Sequence, residues 1–219
     1  MKMWRPVIIG VHAHTNGAKA VKGRHPLAPF TSATIALPYA VVEQHGPQVV
    51  PQHRRRGGNR ADTSKLAPKV QLAARAAGIT AFQMYMADVL LSMIFCGVLE
   101  RHPGFKVVIG EAGIGWIPYV LNRMDAEWED QFKELDLKMR PSEYWQRQCY
   151  ATYQTDPVGI KLVEEIGEGN IMWASDFPHP DGIWPDSQEY IQKELGHLSA
   201  ATRHKIVCEN AAKLYRFVN

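Results

Sequence analysis

Lys106-Val-Val-Ile-Gly-Glu-Ala-Gly-Ile-Gly-Trp-Ile-Pro-Tyr119 is the stretch on which the reading of the fold turns. Val107, Val108 and Ile109 form a short, uninterrupted β-branched run, as a strand buried on both faces requires. A glycine-rich loop over 110–115 follows and carries one carboxylate, Glu111. Beyond it, Ile117, Val120, Leu121, Met124 and Trp128 recur at helical spacing, which predicts a helix over 116–132. A strand, a tight loop and then a helix make the repeating unit of a parallel α/β fold.

The same unit recurs on both sides. Downstream, 150–153 reads as a strand, and Asp156 with Pro157 makes a helix start, closed by Gly167. A further strand over 171–174 runs into Ser175-Asp-Phe-Pro-His-Pro180, and two helices follow, the second opened by Ser199. Upstream, 7–11 is an apolar β-branched strand ending in His12-Ala-His14-Thr-Asn-Gly17. Helices are predicted over 65–77, stopped by Gly78, and over 80–100, stopped before Pro103. Between residues 18 and 64 no period survives and prolines recur at 26, 29, 38, 47 and 51, so this segment reads as an irregular insertion or loop. Four strands are legible, whereas a complete eight-stranded α/β barrel takes twice as many and about 250 residues. The expectation is an α/β chain forming a partial TIM-type (β/α)8 barrel, a single domain over 1–219 that is truncated at its N-terminus.

Composition narrows the function classes. Of 219 residues, 46% are hydrophobic and 21% charged, the balance of a globular protein. The net charge of +3 owes much to the cluster Arg54-Arg55-Arg56 and Arg60, which reads as a solvated loop rather than a nucleic-acid surface. Cys96, Cys149 and Cys208 show no CxxC spacing, so reduced, mostly buried thiols and a cytoplasmic location are expected. The apolar run at 7–11 is too short for a secretory signal. The segment 81–99, interrupted by Gln83, Asp88 and Ser92, reads as a buried helix and not a membrane span.

In parallel α/β folds, reactive groups gather where loops leave the C-terminal ends of strands. Three places qualify: His12 and His14, Glu111, and Asp176 with His179. Carboxylates and imidazoles converging on one face suit a divalent metal, which acidifies a bound water. Each has a structural alternative. Asp176 can cap the turn before Pro178, and Glu111 can be a carboxylate favoured by the following helix dipole. His12 and His14 can be loop histidines. Trp116 and His179, beside the two carboxylates, are the candidate substrate contacts, although a tryptophan there serves equally as cover for the core.

The run 97–119, the run Trp173-Ala-Ser-Asp-Phe-Pro-His-Pro-Asp-Gly182 and the closing Cys208-Glu-Asn-Ala-Ala-Lys-Leu-Tyr215 together resemble the amidohydrolase-2 family, metal-dependent hydrolases and decarboxylases of the aminocarboxymuconate-semialdehyde decarboxylase type. The resemblance covers roughly the last half of the chain and aligns it with the C-terminal half of such barrels. It implies one divalent metal ion, expected to be zinc, and a small carbonyl or carboxylate substrate. It makes Asp176 both metal ligand and proton-transfer group. It also aligns the stretch at 6–17 with strand 5, so that His14 is the better ligand and His12 the weaker. A rival register makes His12 and His14 the strand 1 pair. Glu111 stands where many members carry histidine, as a possible acid or base. No nucleic-acid or membrane partner is expected. The competing reading is a non-catalytic truncated half-barrel that self-associates as a homo-oligomer or binds a partner, because unpaired sheet edges invite another chain.

Overall fold

A computed structural model describes residues 8–12, 67–179 and 181–217, the first of these as backbone only. Among the described residues, four strands form one parallel sheet in the order β1 (Ile8–His12), β2 (Lys106–Gly110), β3 (Cys149–Tyr153) and β4 (Ile171–Trp173). Each strand pairs with the next in sequence. Ile9 lies opposite Val107, Val107 opposite Cys149, and Ala151 opposite Ile171. Strands that stay neighbours in chain order and all run the same way require a crossover between each pair. The helices between them supply it.

Side chains alternate across the sheet, as a period of two dictates. Val107, Ile109, Cys149, Ala151, Tyr153 and Ile171 point to one face, which holds the main core. There they meet α2 (Tyr85–Phe95) and the helices after it; α1 (Pro68–Phe82) precedes α2 and adds no residue to this core. Leu90 and Ile94 of α2 are fully buried, as are Ile117 and Met124 of α4 (Ile117–Asp130), which follows the short helix α3 (Val98–Arg101). Tyr144 and Trp145 of α5 (Pro141–Gln148) complete this layer at zero exposure. Val108, Tyr150 and Met172 point to the opposite face, under Leu214 near the chain's end.

After β3 come two short helices, α6 (Pro157–Lys161) and α7 (Val163–Ile166). After β4 come α8 (Ser187–Leu195), α9 (Ala200–His204), a π-helical turn over Lys205–Glu209 and α10 (Asn210–Tyr215). Asp156 caps α6 and Ser199 caps α9 through their side chains, as their positions predict.

Three local expectations are corrected. Gly78 does not end a helix: it does not take the left-handed φ that a cap needs, and α1 runs through it to Phe82. The helix predicted over 80–100 is broken twice, at Gln83–Met84 and at Gly97, whose left-handed φ of 67° ends one segment and starts the next. Helix α5 was not foreseen, because its sequence Pro-Ser-Glu-Tyr-Trp-Gln-Arg-Gln carries too few apolar residues to show a period. Among the thiols, Cys149 is buried, and burial pushes it up to about 12, whereas Cys208 is exposed. By length and composition alone, Pro68–Phe95 is long and apolar enough to cross a membrane. Its α2 half turns five residues into the core, while Val70, Leu72 and Ile79 of α1 remain exposed.

Candidate metal centre

The C-terminal ends of β2 and β4 share an uncommon backbone feature. Glu111, one residue past β2, has φ 57°, and Asp176, three past β4, has φ 58°. A side chain in the left-handed region costs of order 1–3 kcal/mol, and such residues gather at functional sites. Both carboxylates singled out by the sequence are held this way.

The loop beginning at Asp176 is closed by its own main chain. His179 N donates to Asp176 O at 2.8 Å, Gly182 N to His179 O at 3.0 Å, and Ile183 N to Ser175 O at 3.0 Å. Three carbonyls therefore crowd Gly182, and a Cβ there would lie 2.9–3.0 Å from the oxygens of Ser175, Asp176 and His179. With its turn closed by backbone, the Asp176 side chain is left to face His179, its Oδ2 3.4 Å from Nδ1. Asp181 bonds the same Nδ1 at close range. The three donor atoms of Asp176, His179 and Asp181 all lie within 4.8 Å of one another.

This set fits a cation. Metal–donor bonds of about 2.1 Å put donors roughly 3–4 Å apart around one ion, so small side-chain rotations suffice. Two carboxylates and an imidazole are also the donors that such ions take. Electrostatics converge on the same imidazole. The hydrogen bond that His179 donates to Asp181 raises the His179 pKa above its ordinary value, and the charges of Asp181, Asp176 and Glu111 push it the same way. Glu111 thus acts on His179 from a different strand.

The Glu111 loop is held from β3. Asp156 Oδ2 accepts from Ile114 N and Gly115 N, both at 2.7 Å, while its Oδ1 caps α6 at Gly159 N, 2.8 Å away. Close approach is essential, because a Cβ on Gly159 would lie 2.3 Å from Ile114 Cγ1. Buried Glu194 of α8 accepts in turn from Asp156 N at 3.1 Å and from the Thr155 hydroxyl.

Other predicted residues fall as follows. Trp116 is half-buried, packed against the core, and donates its Nε1 to Ala112 O at 2.8 Å. His12 ends β1 opposite Gly110, so the backbone leaves β1 beside Glu111; its side chain, and all of His14 and of 18–64, lie outside the described residues. Asp181 was missed by sequence reasoning, and its signal was the spacing Asp176-x-x-His179-x-Asp181. Missed too was the aromatic pair Phe177 and Trp184, each 62% exposed, with ring centroids 5.1 Å apart beside the cluster.

The sequence profile of the amidohydrolase family matches residues 21–217. The chain belongs to the amidohydrolase family. Among relatives of this amidohydrolase, gamma-resorcylate decarboxylase of Rhodococcus jostii is 29% identical over 146 residues, covering 62% of this chain and 41% of that protein. An amidohydrolase of Mycobacterium avium subsp. paratuberculosis superposes with a TM-score of 0.54 at 27% identity, over 60% of this chain and 33% of its own. Dihydroxybenzoic acid decarboxylase of Polaromonas sp. JS666, solved with bound manganese and the inhibitor 2-nitroresorcinol, gives 0.54 at 20% identity, over 69% and 47%. The chain spans about two fifths of the length of the curated relative it matches.

Proposed function

We propose that this chain supplies the second half of a (β/α)8 barrel, β1 to β4 corresponding to strands 5 to 8, and carries part of a divalent-metal site acting on a small carboxylate compound. The observation that carries the reading is the cluster of Asp176, His179 and Asp181 donors at the end of β4, with Glu111 acting on the same imidazole. The strand order, with each strand beside the next in sequence, supports the barrel assignment.

Asp176, His179 and Asp181 would hold the ion, and an imidazole of His14 or of His12, which ends β1, would be a further ligand. When bound, such an ion supplies a Lewis acid that draws electron density from a carboxylate or carbonyl oxygen. The chain's own residues do the rest. Asp176 positions and transfers a proton at its carboxylate oxygen. Glu111 is the second acid or base, on the opposite wall of the mouth. Phe177 and Trp184 offer flat apolar faces to a ring, which suits the aromatic acids named for two of the relatives. The chemistry favoured on this ground is decarboxylation: the ring–carboxylate C–C bond breaks, CO2 departs, and a proton from the enzyme takes its place on carbon. The carboxylate-rich donor set suits manganese as well as it suits zinc.

Manganese titration by calorimetry tests the proposal. The purified chain should bind one ion, and Asp176→Asn should weaken binding at least tenfold. Equal or absent binding in both proteins contradicts it.

A further inference from the structure

The loop carrying the cluster also depends on a residue outside it. Gln154, the first residue past β3, reaches across to the Asp176–Asp181 turn and donates its Nε2 to Asp181 O at 3.3 Å. Its own main chain is fixed to β4, because Trp173 Nε1 donates to Gln154 O at 3.2 Å and Ala174 N to Tyr153 O at 2.9 Å. The side-chain amide is thus a short strut between the end of β3 and the far limb of the loop.

Its other end is unusual. Gln154 Oε1 is buried without a hydrogen-bond partner among the described residues. A buried acceptor left unpaired is a standing cost, which folds retain where something else is gained. Flipping the amide would not relieve it, since oxygen would then face the oxygen of Asp181. The orientation is therefore set by the bond to the loop.

We infer that Gln154 is a positioning residue for the cation site: by holding the Asp181 main chain it fixes where the Asp181 carboxylate stands beside His179 and Asp176. Groups behind the ligands of a metal commonly set affinity in this way, their loss weakening it by about 10–100-fold. The inference rests on the proposed metal site but assigns a residue that neither sequence spacing nor the donor cluster itself points to.

The test compares Gln154→Leu with the unaltered chain in manganese affinity and in thermal unfolding. Leucine removes the donor and the unpaired acceptor together, so the melting temperature should hold or rise while the dissociation constant for manganese increases about tenfold. A purely structural role would lower both stability and affinity together, and that result overturns the inference. Unchanged affinity at unchanged melting temperature overturns it as well, yet leaves the metal site standing. No manganese binding by the unaltered chain overturns both. Should Gln154→Leu fail to fold, Gln154→Met, which keeps the side-chain length, carries the same expectations.

Discussion

The two ends of the sheet are built on opposite terms. At the N-terminal ends of the strands, buried amides are fully used. Asn170 Nδ2 donates to the carbonyls of Trp145, Gln146 and Cys149, and Asn210 Nδ2 donates to those of Glu168 and Ile171. Gln148 Nε2 serves His102 O and Phe105 O in the same manner. At the C-terminal ends, Gln154 Oε1 and the Tyr153 hydroxyl are buried without partners among the described residues, and Glu111 and Asp176 sit in left-handed backbone. Burial and the nearby charges of Glu194 and Asp156 also push the Tyr153 phenol far above its ordinary value. The side-chain amides at the first end are bonded, although Trp128 Nε1 of α4 lacks a partner among the described residues and Arg216 is a third left-handed side chain; the second end gathers strain and unmet hydrogen bonds around the candidate site. In parallel α/β architectures this is the division between a face that stabilises and a face that reacts.

That contrast can be broken first at the satisfied end. Asn170→Leu removes the buried side-chain donor to the carbonyls of Gln146 and Cys149, Trp145 O keeping its bond from Cys149 N, and should cost about 3–5 kcal/mol, read in denaturant unfolding. Manganese affinity of the folded fraction should stay within twofold. A loss of affinity as large as that of Asp176→Asn would show that the two ends are not separable.

A smaller effect, at the strained end, is a dependence on pH. Because Asp181 raises the His179 pKa, the protonated imidazole stabilises the metal-free fold below the ordinary value of about 6.5, and that contribution fades as pH rises through the raised value. A cation needs the neutral ring, so manganese affinity should do the reverse. It should climb by up to about tenfold per pH unit from below 6.5 and level off only above the raised pKa of His179. Calorimetric titration at several pH values reads the slope, and His179→Ala should flatten it. A pH-independent affinity in the unaltered chain would remove His179 from the ligand set.

The same division explains what could be read from sequence. The four strands were legible because short apolar runs such as 107–109 and 171–174 have few other uses, and because strand and helix alternate. The caps at Asp156 and Ser199 were legible because they act within one turn. Asp156 has a second task, gripping Ile114 and Gly115 from some forty positions away in the chain, and no local pattern announces it. Gln154 is hidden for the same reason. Gly78 and Gly97 show the limit in the other direction: both are glycines near helices, but only Gly97 takes a left-handed φ, and composition does not distinguish them. Within the site, Asp176 and Glu111 were found through their place after a strand. Asp181 was overlooked because its backbone belongs to the far limb of a turn that only the folded loop brings back to His179.

A crystal structure of the chain grown with manganese, with the ion located by its anomalous scattering, addresses the central claim directly. The account predicts one peak within bonding distance, about 2.2 Å, of an Asp176 carboxylate oxygen, with His179 or Asp181 as a further ligand. An ion bound elsewhere without Asp176, or no ion at all at saturating manganese, would contradict it.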